Sequence, residues 1–127
     1  MKKIFGIVGW SGSGKTDLIC RLIEAFRKKN VSVGSIKHTH HNFEIDKEGK
    51  DSFKHISSGS EEVILYNKKK YAIVSNFLKE KISFCDIIKK FSDNIDLILV
   101  EGLKNLEIKK IEVYRTSLKK DLLCLND

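Results

Sequence analysis

Apolar side chains along the chain switch between two spacings, and the switches mark out its elements. Lys3 to Val8 is a short run rich in β-branched and aromatic residues that ends at Gly9, which predicts a strand. From Lys15 to Lys29 the apolar positions Leu18, Ile19, Leu22, Ile23 and Phe26 recur at helical spacing, with Asp17, Arg21, Glu24, Arg27 and Lys28 on the other face. Such a helix buries one stripe against a sheet. Lys28 and Lys29 suit the negative end of its dipole, Asn30 takes a left-handed cap, and Val31 to Lys37 predicts a second strand. His38 to Lys50 lacks apolar periodicity and reads as a long loop, which in a compact domain is usually functional. Asp51 to Ser58 predicts a short helix ended by Gly59, and Glu62 to Tyr66 and Tyr71 to Ser75 are β-like runs joined by Asn67-Lys68-Lys69-Lys70, a hairpin pattern. Ser83 can cap a helix whose Phe84, Ile87, Ile88 and Phe91 face inward, with Asp86 in its first turn. Ile95 to Val100 is nearly all apolar, as a central parallel strand covered on both faces is, and it runs into Glu101-Gly102. Lys110 to Tyr114 alternates as a final strand. Strands alternating with helices predict an α/β fold with a mostly parallel central sheet flanked by helices, plus a β-hairpin.

The segment between the first strand and the first helix is Gly9-Trp10-Ser11-Gly12-Ser13-Gly14-Lys15-Thr16. It matches Gly-x-x-x-x-Gly-Lys-[Ser/Thr] in the strand-to-helix context that a phosphate-binding P-loop requires, so the predicted fold is P-loop NTPase-like. Gly9, Gly12 and Gly14 let the N–H groups of the loop, those of Ser11 and Ser13 included, turn inward around an oxyanion, and the helix N-terminus adds its positive end. Lys15 is expected to reach the outer phosphates of a nucleotide and Thr16 to place its hydroxyl on Mg²⁺. A dinucleotide-binding Gly-x-Gly-x-x-Gly reading fails, because Gly12-Ser13-Gly14 is followed by Lys15-Thr16-Asp17 with no third glycine in place.

Ligands of open α/β sheets bind outside the carboxyl ends of the strands, which makes the residues emerging there the next candidates. Glu101, at the end of an apolar strand, has the Walker B position that holds Mg²⁺ directly or through water. The second strand ends in Lys37-His38-Thr39-His40-His41, with Asp46 and Asp51 downstream. Lys37 and His38 leave the same edge as the P-loop, within reach of a bound triphosphate, and Asp46 or Asp51 can meet its Mg²⁺ through water. His38, His40 and His41 also admit a transition-metal reading, since His-x-His projects two rings to one side, but no thiol accompanies them. The favoured reading of residues 38–52 is a mobile loop over the phosphates that orders when nucleotide binds.

At 127 residues the chain has the length of one domain, read as a single nucleotide-binding unit over residues 1–127. Its composition, 41% hydrophobic and 32% charged, is that of a globular protein, and its apolar runs, such as Leu97 to Val100, are far shorter than a membrane span. No signal-peptide pattern follows the basic start, so a cytoplasmic location and no membrane partner are expected. Cys20, Cys85 and Cys124 are odd in number and widely spaced, which reads as three reduced thiols. Of the net charge of +7, +5 falls in residues 1 to 30, a basic segment suited to a phosphorylated ligand. Arg21, Arg27 and Arg115 are the only arginines, which argues against DNA as a partner, because base reading favours Arg.

Gly9 to Thr16, the block Ile36-Lys37-His38-Thr39-His40-His41-Asn42-Phe43-Glu44-Ile45-Asp46 with Gly49-Lys50-Asp51-Ser52, Leu97 to Lys104, and Lys110 to Arg115 together resemble the molybdopterin-guanine dinucleotide biosynthesis protein B family. The middle block is distinctive, because P-loop proteins in general do not share it. The resemblance spans nearly the whole chain. It implies a GTP-binding P-loop protein that assists attachment of GMP to molybdopterin beside the guanylyltransferase, commonly as a homodimer. It also implies that Gly12, Gly14, Lys15 and Thr16 form the phosphate site, and that His38, Asp46, Asp51 and Glu101 contact metal, phosphate or pterin. Members of the family are expected to continue past Asp127 with a further strand and turn near the base. No Asn/Thr-Lys-x-Asp guanine motif exists here, since Asn67-Lys68-Lys69-Lys70 lacks the aspartate, so guanine preference rests on the resemblance.

The reading is therefore a domain that binds Mg²⁺ and GTP and hydrolyses GTP slowly if at all, because no arginine is assignable as a transition-state finger and no residue as a water-positioner. Two other classes fit parts of the pattern. A small-molecule kinase would set His38 or Asp46 near an acceptor hydroxyl, yet no Arg-rich lid is evident. A nucleotide-independent RNA-binding module would use the basic N-terminal quarter, and its affinity would fall steeply with salt.

Overall fold

The computed structural model describes residues 2–39, 51–76 and 81–126, which fall into two compact units, Met1–His40 with Phe91–Asp127, and His41–Lys90. In the first unit β1 (Lys3–Val8), β2 (Val33–Lys37), β5 (Leu97–Glu101) and β6 (Lys109–Glu112) form an all-parallel sheet in the order β2-β5-β1-β6. α1 (Lys15–Lys28) is the crossover from β1 to β2. Parallel strands need such a crossover, and the result is the P-loop NTPase-like α/β arrangement that the strand and helix spacing predicts.

α1 lays its predicted apolar stripe on the sheet. Ile7, Ile19, Leu97 and Leu99 form the buried core, with Phe5, Leu18, Leu22, Ile23, Phe26, Val31, Val33 and Val113 packed around it. Its C-terminus closes as expected at Asn30, whose φ of 60° is left-handed. The Asn30 N–H donates to the Arg27 carbonyl and the Val31 N–H to the Phe26 carbonyl, the paired bonds of a Schellman motif. Val31 is thereby spent on the cap and Ser32 on Asp96, whose carboxylate accepts from the Ser32 N–H and hydroxyl, each at 3.0 Å. For that reason β2 starts at Val33 rather than at Val31. The Ser32 donors hold the Asp96 carboxyl below its usual range.

On the other face of the sheet, Phe91 and Ile95 lie against Gly34 of β2. A Cβ added to Gly34 would lie 2.5 Å from Phe91 Cε1 and 2.8 Å from Cδ1, so the phenyl ring sits on the bare backbone of β2. Gly34→Ala is expected to cost about 1–3 kcal/mol through overpacking, read as a lower urea midpoint; an unchanged midpoint would contradict this packing.

In the second unit α2 (Asp51–Ser57) precedes an antiparallel hairpin of β3 (Glu62–Tyr66) and β4 (Tyr71–Ser75), with the limits of the two β-like runs. α3 (Phe84–Ile88) is capped as expected: the Asp86 N–H donates to Ser83 Oγ, which donates to the Asp86 carboxylate and lowers its pKa. α3 is shorter than its apolar pattern, because the chain tightens at Lys89 and Lys90 and Phe91 packs on Gly34 instead of continuing the helix. Among the described residues no helix is long and apolar enough to cross a membrane.

Candidate functional site

β1 ends at Val8 and α1 begins at Lys15, so Gly9 to Gly14 must turn the chain at the carboxyl edge of the sheet. Two glycines there are dictated by geometry. A Cβ on Gly9 would stand 2.5 Å from the Val113 carbonyl oxygen and 2.7 Å from Ser13 Oγ. Gly14 is the N-cap of α1 in left-handed conformation, φ 98°, with the Arg115 guanidinium against it. Its carbonyl accepts the Leu18 N–H at 3.1 Å and starts the helix. The earliest N–H groups of α1 have no intrahelical acceptor and carry the positive end of the dipole.

Side chains in the loop are set for an anion. Ser13 is 2% exposed, and its hydroxyl has no hydrogen-bond partner among the described residues. Buried hydroxyls are ordinarily paired, so the unpartnered oxygen fits a loop completed by a ligand. Lys15 Nζ donates to the Gly9 carbonyl at 2.8 Å, folding its ammonium back over the loop. An ammonium has three donors, which leaves two for phosphate oxygens. Ser11 and Gly12 lie exposed at the loop surface.

The strand register assembles the cation side of the site. Glu101 is the last residue of β5, inside the strand rather than after it, level with Ile7 of β1 and Lys37 of β2. Thr16, the second residue of α1, donates its hydroxyl to Glu101 Oε1 at 2.8 Å, and Lys37 Nζ lies 3.7 Å from the same oxygen. The side chain of Glu101 is only 12% exposed. A carboxylate and a hydroxyl in contact, beside an ammonium that phosphate can draw away, are a hard-oxygen donor set that fits Mg²⁺. His38 follows directly, its N–H donating to the Glu101 carbonyl at 3.2 Å. Asp46, His40 and His41, and with them most of the predicted loop, lie outside the described residues. Asp51 opens α2 in the second unit, and its side chain is likewise outside them.

The chain after β6 supplies groups that the motif search passes over. β6 pairs with β1 from Phe5↔Lys109 to Val8↔Glu112, and the Val113 N–H adds a bond to the Val8 carbonyl at 2.8 Å, so the chain leaves at the same edge as the P-loop. Arg115 then reaches Gly14, and Leu118 Cδ2 comes 3.8 Å from where a Cβ on Gly12 would be. The Trp10 indole N–H donates to the Asp121 carbonyl at 2.8 Å, with Lys104 and Lys120 Nζ 4.7 and 5.3 Å from the ring centroid. Glu112 accepts the N–H groups of Leu123, at 2.6 Å, and of Cys124, at 3.0 Å, and the first of these chiefly holds its carboxyl below the usual range. Sequence reading assigned no arginine as a transition-state finger and gave Arg115 no place in the site; the structure sets its guanidinium against Gly14 of the loop. Applying to the last strand the carboxyl-edge rule that singles out Glu101 and Lys37 would find it, since Arg115 follows Lys110 to Tyr114. A groove of about 860 Å³ among Lys2, Phe5, Phe26 and Asp93 opens at the opposite, amino edge and gathers none of these groups.

Residues 4–127 match the family described as molybdopterin guanine dinucleotide synthesis protein B. A Haemophilus influenzae protein named molybdopterin-guanine dinucleotide biosynthesis adapter protein is 42% identical over 120 residues, which cover 94% of this chain and 67% of the relative. The Escherichia coli protein of the same name is 36% identical over 117 residues, covering 91% of this chain and 67% of its own length. The crystal structure of Bacillus subtilis MobB superposes with a TM-score of 0.71 at 23% identity, over 92% of this chain and 72% of that one, a likeness of fold.

Proposed function

The chain belongs to the molybdopterin guanine dinucleotide synthesis protein B family, and from that premise we propose that it is an adapter in molybdopterin-guanine dinucleotide biosynthesis that binds GTP with Mg²⁺ at the P-loop edge of its sheet. The observation that carries the reading is the 2.8 Å contact between Thr16 Oγ1 and Glu101 Oε1. It joins the two halves of a nucleotide and Mg²⁺ site that lie 85 residues apart in the chain.

The roles follow from the donors. The loop N–H groups of Gly9 to Gly14 and the N-terminus of α1 take phosphate oxygens, and Lys15 leaves Gly9 to meet the outer ones. Thr16 and Glu101 hold Mg²⁺, which when bound neutralises phosphate charge. Lys37 then exchanges its contact with Glu101 for phosphate, with His38 next to it. Asp46 and Asp51 belong to the proposal as groups that meet Mg²⁺ through water. The proposed partners are the molybdopterin guanylyltransferase, molybdopterin and a second copy of the chain, in the cytoplasm.

The test is reconstitution. Added to the guanylyltransferase and molybdopterin at limiting GTP, the chain is expected to raise the yield of the dinucleotide, and Lys15→Ala is expected to lose that gain. Equal yields with and without the chain would overturn the adapter reading.

A further inference from the structure

Arg115 is a cation that, among the described residues, has no ion-pair partner. Its Nη2, Nε and Cζ lie 3.1, 3.6 and 3.7 Å from the position a Cβ on Gly14 would take, so the guanidinium packs on the residue that caps α1. α1 is 14 residues long, and its positive dipole end is at that cap. Lys15, a second cation, is the next residue in the chain. Among the described residues Arg115 forms no ion pair, whereas Arg21 is paired with Asp17 at 3.0 Å. Three positive contributions converge on one loop, and an anion is what relieves them.

The position is set by the fold. Upstream, Val113 is tied to β1 through the Val8 carbonyl, and its own carbonyl covers Gly9. Downstream, the Leu118 N–H donates to the Arg115 carbonyl at 3.1 Å, opening the turn Thr116–Leu118, and the Asp121 carbonyl holds Trp10. Arg115 itself is extended, φ −128° and ψ 123°, between these two anchors. Its backbone is therefore fastened to both sides of the P-loop, and the exposed guanidinium, without an ion pair among the described residues, has the planar fork of donors that suits phosphate.

We infer that Arg115 is a phosphate ligand of the nucleotide site, supplied in cis by the segment after β6. The inference rests on the nucleotide reading given above and adds a residue to it. Charge-assisted contacts of this kind change affinity by about tenfold or more.

The experiment is calorimetric titration of Mg²⁺-GTP and of inorganic tripolyphosphate into the parent chain, Arg115→Ala, Arg115→Lys and Arg27→Ala. Arg27 is an exposed cation in the last turn of α1, away from the loop, so its variant measures the effect of net charge alone. Arg115→Ala is expected to bind both probes about tenfold more weakly, Arg115→Lys to fall between it and the parent because an ammonium lacks the planar fork, and Arg27→Ala to match the parent. The lysine variant, which keeps charge and bulk, carries the test should the alanine variant melt early. Parent-like binding by Arg115→Ala, or an equal loss in Arg27→Ala, overturns the inference and leaves the nucleotide reading standing. A parent chain that binds neither probe overturns both.

Discussion

Lys15→Ala is expected to bind Mg²⁺-GTP about tenfold or more weakly than the parent, because an ammonium-to-phosphate contact is worth roughly 1.5–3 kcal/mol. Folding should survive. Among the described residues the ammonium donates to the Gly9 carbonyl alone, a bond inside one loop, while the core of Ile7, Ile19, Leu97 and Leu99 is untouched. Titration gives the affinity, and the urea midpoint separates a lost ligand from a lost fold. Parent-like affinity in a folded variant would remove the phosphate role of the loop.

Glu101→Gln is expected to collapse the dependence on Mg²⁺ while sparing metal-free binding. The amide oxygen still accepts from the Thr16 hydroxyl, so the 2.8 Å contact has a neutral replacement, but the charge that attracts the cation is gone. Changes around a metal ligand set commonly cost 10–100-fold, so the ratio of GTP affinity with Mg²⁺ to that without it should fall by roughly 10- to 100-fold. Loss of the Lys37 pair contributes little, since Lys37 is 69% exposed and solvated. The same ratio in parent and variant would reject Glu101 as a Mg²⁺ group.

What could be read before the fold was known is whatever is local. Glycine spacing, the Lys15-Thr16 pair and the stripe on α1 are each written within a few turns of chain, and both strands of the hairpin begin and end where the β-like runs do. Glu101 and Lys37 were legible through a rule about strand ends. Their convergence on one carboxylate oxygen was not, because it depends on β5 lying between β1 and β2, an order set by long-range packing. Arg115 escaped for the same reason: it closes a block that carries the family resemblance but has no local phosphate-binding pattern, and the pairing of β6 with β1 is what carries it to Gly14. At α3 tertiary packing overrode local pattern, since Phe91 has the spacing of a helix face but packs on the bare backbone at Gly34.

The central claim is that the P-loop edge is one nucleotide and Mg²⁺ site, and Trp10, the sole tryptophan, stands in that loop. Titration calorimetry of the chain with GTP and ATP, each with and without Mg²⁺, tests the claim most directly, with Trp10 fluorescence followed in the same samples. The account predicts saturable binding of GTP, tighter than that of ATP and strengthened by Mg²⁺, accompanied by a change in Trp10 emission. No binding of either triphosphate at any Mg²⁺ concentration would contradict it.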